Sequence, residues 1–156
     1  MTKDYAISEI ESFNRRQMGS YLYRFEFMED ALIRAFENLS RYVFRYSLQD
    51  FSGDYFIGEE KNGQRNGFGA YVWKDSSIDS LYIGEWRNGN REGEGIILRK
   101  NSCYKGGFLD GQYHGRGQFV FSSGLVFEAV FDRGDISRLL RSNYDFSFNG
   151  RDYSAR

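Results

Sequence analysis

Proline is absent from the 156 residues, and cysteine and histidine occur once each, as Cys103 and His114. A lone cysteine forms no internal disulfide, which fits a reducing compartment, and a cytoplasmic location is expected. One histidine and one cysteine cannot build a zinc cluster. The chain also lacks an excess of either charge, with 21 Lys plus Arg against 22 Asp plus Glu. Nucleic acid is therefore not an expected partner. No stretch approaches 18 uncharged apolar residues, and the opening MTKDYAISEIESFNRR reaches acidic residues too early for a signal peptide, so neither a membrane span nor a leader is expected. Rings and glycine are what the chain has in quantity: 2 Trp, 12 Tyr and 15 Phe beside 18 Gly.

The glycines recur in register. The segments FIGEEKNGQRNGFGAYVW from Phe56, YIGEWRNGNREGEGIILR from Tyr82 and YKGGFLDGQYHGRGQFVF from Tyr104 align without gaps, and a weaker copy, FEAVFDRGDISR, starts at Phe127. Gly63, Gly89, Gly111 and Gly134 form one column. Gly67, Gly93 and Gly115 form a second, and Gly69, Gly95 and Gly117 a third. Copies that start 26, 22 and 23 residues apart mark a repeat array in which each unit contacts its neighbours.

Each copy has the chemistry of a β-hairpin, with two period-two runs around Asn62-Gly63, Asn88-Gly89 or Asp110-Gly111. A second glycine four residues further on points to a bulge or a longer loop. Hairpins joined by short loops such as Ser122-Ser123-Gly124 stack into a meander, expected to run from about Asp54 to Phe131. Alternation puts Tyr82, Gly84 and Trp86 on one face and Ile83 with Glu85 on the other. The same rule groups Gly67, Gly69, Tyr71 and Trp73, and likewise Gly115, Gly117, Phe119 and Phe121. Glycine between rings leaves room for a neighbouring strand's ring to lie flat on the sheet.

Aromatic-x-Gly-Glu-aromatic-x-Asn-Gly followed by Gly-x-Gly resembles the MORN (membrane occupation and recognition nexus) repeat. Tyr82 to Leu98 is the best copy. Glu60 stands where the second aromatic belongs, Gly107 where Glu belongs, and Ala129 and Arg138 at glycine positions of the fourth copy. The continuous ring surface is accordingly expected to begin near Trp86. The resemblance implies a mainly β fold: an elongated, single-layer antiparallel β-meander whose aromatic groove binds a helix or another protein, commonly with dimerisation. Lipid binding is also attributed to the family.

The expected organisation is an N-terminal extension at 1–51, repeats at 52–138 (about 56–78, 82–101, 104–124 and 127–138) and a C-terminal cap strand or tail at 139–156. Asp4 to Gln17 reads as a helix with Ile7, Ile10 and Phe13 on one side. Asp30 to Ser40 reads as another, with Leu32, Phe36 and Leu39 in a stripe. Between them Tyr21, Tyr23, Phe25 and Phe27 alternate as in a strand, and Tyr42, Phe44, Tyr46 and Leu48 do so again. A further strand and turn are expected at 144–150. A single-layer sheet exposes two faces and two edges, so the amphipathic N-terminal helix is expected either on the chain's own sheet or in a second copy's groove.

No chemistry can be assembled from spacing. Gly67-Phe68-Gly69, Gly93-Glu94-Gly95 and Gly115-Arg116-Gly117 complete neither a dinucleotide fingerprint nor a P-loop and read as hairpin glycines. Glu59 and Glu60 are adjacent on a strand and point to opposite faces, and Glu92 with Glu94 reads as solvated charge. His114 and Cys103 lack companions for catalysis. We therefore expect no catalytic residue, no metal site and no cofactor, but a non-enzymatic adaptor, scaffold or inhibitor. It would bind a partner helix or peptide, or pair as a homodimer, through Tyr71, Trp73, Tyr82, Trp86, Tyr104, Phe108, Phe119 and Phe121. The alternative is a peripheral phospholipid-binding protein. Against it, residues 52–138 carry 11 basic and 12 acidic side chains with no basic cluster, which is poor material for anionic bilayers.

Overall fold

The computed structural model describes all 156 residues, Met1–Arg156. Two helices lead into eleven strands. The helices are α1 (Lys3–Ser20) and α2 (Glu26–Arg41). The strands are β1 (Ser47–Asp50), β2 (Tyr55–Lys61), β3 (Gln64–Lys74), β4 (Ile78–Arg87), β5 (Asn90–Arg99), β6 (Ser102–Leu109), β7 (Gln112–Phe121), β8 (Val126–Asp132), β9 (Asp135–Ser142), β10 (Phe146–Phe148) and β11 (Arg151–Tyr153). Strands β1 to β9 form one antiparallel sheet in chain order, and β10 with β11 forms a separate hairpin.

The meander follows the glycine register. Asn62, Asn88 and Asp110 have φ of 53°, 50° and 49°, and the glycine after each is also positive, which is the two-residue turn whose twist matches the flanking strands. Arg133-Gly134 and Asn149-Gly150 adopt the same turn. The second glycine column makes the bulge. Gly84 pairs with Gly95 but Trp86 with Arg91, so the return strand carries two extra residues around Gly93, whose φ is 99°. The consensus glutamate completes this irregularity: Glu59 Oε2 accepts from the Phe68 N–H at 2.6 Å, and Glu85 Oε2 from the Glu94 N–H at 2.5 Å.

Alternation separates two apolar clusters on opposite faces. One face carries Tyr55, Ile57, Ala70, Val72, Leu81, Ile83, Ile96, Leu98, Cys103 and Val120, covered by Ala6, Ile10 and Phe13 of α1 and Met28, Leu32 and Leu39 of α2. This helix face belongs to the chain's own sheet. The helices are thus absent from the aromatic groove in which a docked helix was one expectation. Glu9 fastens α1 to it, accepting from Tyr55 Oη and Lys74 Nζ, each at 2.6 Å. The other face carries the rings.

Of the two strand expectations in the N-terminal extension, that at 21–27 fails and that at 42–48 holds only from Ser47 on, where β1 pairs with β2. Leu22–Arg24 form a 3-10 turn, and α2 starts at Glu26 because Met28 continues the Leu32 stripe one turn back. No strand lies alongside 21–27 to pair with; Tyr21 and Leu22 are instead buried plugs between the helices and the sheet. Val43–Arg45 form a second such turn, leaving Phe44 exposed, and only Ser47–Asp50 pairs with β2. At the other end, the expected strand after Tyr144 becomes a complete hairpin laid on the rings.

Candidate functional site

The ring face is built from a ring placed over a pair of facing glycines. Phe56 lies over Gly58 and Gly69, Tyr82 over Gly84 and Gly95, and Tyr104 over Gly106 and Gly117. A Cβ on Gly95 would sit 2.5 Å from the Tyr82 ring, and one on Gly84 would sit 2.5 Å from the Gly95 Cα across the ladder. Flattened in this way, Tyr82 and Tyr104 are wholly buried although no second layer covers Tyr82. Burial holds both phenols well above the usual tyrosine range. Each hydroxyl is used, donating to the Glu85 carbonyl at 2.7 Å or the Gly107 carbonyl at 3.0 Å.

In the second and third copies the second aromatic locks onto the first. Trp86 stands edge-on to Tyr82 at 5.1 Å and to Phe56 at 5.3 Å, and Phe108 edge-on to Tyr82 at 5.2 Å and to Tyr104 at 5.3 Å. Trp86 Nε1 donates to the Gly69 carbonyl at 3.1 Å. Of the eight residues singled out from sequence, Tyr82, Trp86, Tyr104, Phe108 and Phe119 are therefore buried in the face's own packing, while Tyr71, Trp73 and Phe121 are half-buried. The ring surface does not begin at Trp86. Phe51, Tyr71 and Phe56 extend it to the first hairpin, with Phe51 stacked on Tyr71 at 6.2 Å and Tyr71 against Trp73 at 4.9 Å. Glu60 bonds Gln49 instead, and Arg65 fills the missing aromatic's place over Phe56, Tyr71 and Trp86.

Arginines link successive hairpins in a way that sequence inspection missed. Gly89 N donates to the Arg65 carbonyl at 2.9 Å while Arg65 Nη2 donates back to the Gly89 carbonyl at 3.1 Å. Arg91 and Gly111 repeat the exchange at 3.0 and 2.7 Å. The signal was present, since Arg65 and Arg91 occupy the same column two residues after the turn glycine.

The two ends of the ring face differ. Over β7, β8 and β9 lies the β10–β11 hairpin, with Phe146 stacked on Phe127 at 4.2 Å and Phe148 against Phe119 and Phe131 at 5.6 and 5.8 Å. Asn149 at its tip donates to the Gly134 carbonyl at 3.0 Å. At the other end Phe51 is exposed and Tyr71 and Trp73 are half-buried, with the Arg65 and Arg91 guanidinium groups against the latter two in place of a hairpin. Beside them, above β5 and β7 and bounded by the hairpin tip, is a cavity of about 250 Å³ lined by Arg91, Ile97, Arg99 and Tyr113.

The MORN-repeat family model matches residues 56–78, 82–103 and 104–126. The chain carries three consecutive MORN repeats. Comparison with curated proteins gave no match. The matched MORN repeats are the hairpins whose rings lie over glycine pairs. The hairpin from Phe127 lies beyond them and has Ala129 facing Gly117. MORN repeats are generally modules for interaction with proteins or membranes.

The groups considered for chemistry are dispersed. Cys103 is wholly buried in the helix-face core, which pushes its thiol far up. His114 Nδ1 accepts from the Arg133 N–H at 3.3 Å and lies 3.7 Å from Asp132. No three His, Cys, Asp or Glu side chains gather as a metal would require. A depression of about 780 Å³ lies where Glu59 and Glu85 serve the bulges and holds no nucleophile with a base. No helix is long and apolar enough to cross a membrane.

Proposed function

We propose that this chain is a non-enzymatic protein-binding module that holds a partner's helix or peptide against the uncovered half of the ring face. Tyr71 and Trp73 are the contact anchors, with Phe121 at the border of the hairpin. Tyr82, Trp86, Tyr104, Phe108 and Phe119 form the rigid platform beneath. The observation that carries this reading is the division of one continuous ring surface: the chain covers half of it with its own Phe146 and Phe148 and leaves Phe51, Tyr71 and Trp73 open. Half-buried rings on a preformed support suit binding, because little side-chain entropy is left to lose. The β10–β11 hairpin supplies an internal example of a segment seated there through alternating rings.

The test is selection of peptides from a randomised displayed library, followed by calorimetry. Trp73→Ala should weaken the best binder by about thirty-fold, or roughly 2 kcal/mol, the cost typical of a central aromatic anchor. Tyr144→Ala, an exposed ring off this face, should bind as the wild type does. Failure to select any peptide, or equal binding by Trp73→Ala, contradicts the reading.

A further inference from the structure

The uncovered half of the ring face carries positive charge that nothing in the chain neutralises. Arg91 and Arg99 both project from β5 onto this face, and neither forms an ion pair. On the opposite face Arg116 and Arg141 share Glu128 at 3.1 and 3.5 Å. The Arg91 guanidinium lies against Trp73 and Phe108 at 5.5 and 5.6 Å, and its polar partner is a backbone carbonyl. Burial disfavours its charge. Arg99 Nη1 reaches only the Tyr113 hydroxyl, at 3.3 Å. Both arginines line the 250 Å³ cavity, whose wall is completed by Gln112, Phe148 and Asn149 and contains no carboxylate. Withdrawing cations from water without a counter-ion is costly, and an incoming anion recovers that cost through charge-assisted hydrogen bonds.

Resting on the protein-binding reading above, we propose that this cavity receives a carboxylate side chain from an acidic, amphipathic segment of the partner, paired with Arg99 and Arg91, while a neighbouring apolar side chain rests on Trp73. Trp73 pairs with Ser80 and Ser80 with Arg99, so the two anchors stand two strands apart, roughly 10 Å at the usual strand spacing. Small Ser80 lies between them. That span is covered by residues i and i+7 of a helix, which lie on one helix face. A protein carboxylate fits better than a lipid headgroup, because the cavity is walled by the hairpin tip and edged by rings. The repeats also have no cluster of basic side chains to hold an anionic bilayer.

The experiment uses the full chain and the peptides selected from the randomised library. Selected sequences should be enriched in Asp or Glu near an aromatic or aliphatic residue. Binding of the commonest should fall at least tenfold in Arg99→Gln, whose guanidinium makes no bond to the neighbouring hairpin's backbone, and also in Ser80→Glu, which places a competing carboxylate beside it. Lys105→Gln, an equal change of charge on the opposite face, should bind as the wild type does. Neutral peptides that depend on Trp73 but not on Arg99 would overturn the acidic partner and leave the protein-binding reading standing. An empty selection would overturn both. Loss in Lys105→Gln equal to that in Arg99→Gln would reduce the effect to general electrostatics and overturn the site. Flotation with phosphatidylserine and phosphoinositide vesicles, lost in Arg99→Gln, would reassign the site to a membrane.

Discussion

The two faces of the sheet reach the same degree of burial by different means. On the helix face, Ile83 and Leu98 are dry because α1 and α2 cover them. On the ring face, Tyr82 is as dry with no covering layer, because it lies flat over Gly84 and Gly95 and is walled by Trp86 and Phe108. Glycine is what makes the second solution available. It lets the sheet bury its own rings and keep that side free for something else, whereas the aliphatic face is used up in folding. Where the helices stop, the helix face turns charged, with Arg116, Glu128 and Arg141 in a cluster.

This contrast can be attacked in order of expected effect. Leu32→Ala removes a wholly buried side chain from α2 and should cost about 2–5 kcal/mol in urea unfolding, since the helix cannot collapse onto the flat sheet. A cost near zero would mean that α2 does not seal this face. Gly84→Val should come next, toward the upper end of about 1–3 kcal/mol, because its Cβ meets the Gly95 Cα and Glu94 carbonyl across the ladder and also the Tyr82 hydroxyl above it. An unchanged melting temperature would refute ring-over-glycine packing. Tyr82→Phe keeps the ring and loses only the bond to the Glu85 carbonyl, so about 0.5–1.5 kcal/mol is expected. The first repeat does without that bond, having Phe56 in the same place.

The smallest effect belongs to the charged strip. The Arg116 guanidinium bonded to Glu128, with Arg141 nearby, holds the Glu128 carboxyl below the usual carboxylate range. A depressed folded-state value means that the stabilisation is present above the unfolded-state value and fades as pH falls through the folded one. The stability difference between wild type and Glu128→Gln should therefore narrow from about pH 6 to about pH 3. A constant difference would show that the pair does not act through ionisation.

The repeat region was legible in the sequence because its geometry rests on glycine. The turns at Asn62-Gly63, Asn88-Gly89 and Asp110-Gly111, the bulge at the second glycine and the sorting of rings to one face all follow from positions where a side chain is excluded. The N-terminal extension gave up its helices but not their limits. Alternating aromatics at 21–27 and 42–46 mimic strands, and period two cannot tell a strand from short turns such as Leu22–Arg24 and Val43–Arg45. Which rings would remain open was not legible either. That depended on where the Phe146–Tyr153 hairpin lands and on Arg65 replacing an aromatic, both of them tertiary outcomes.

The chain's two tryptophans allow the central claim, that the buried platform holds the sheet while the open rings meet the partner, to be read directly. Trp73 is half-buried at the open end and Trp86 is 7% exposed within the platform. Trp86→Phe leaves Trp73 as the sole indole, and Trp73→Phe leaves Trp86. Adding a selected peptide should shift the Trp73 emission to the blue and shield it from acrylamide, while the Trp86 emission and quenching stay as they were. A response from Trp86 with none from Trp73 would contradict the account.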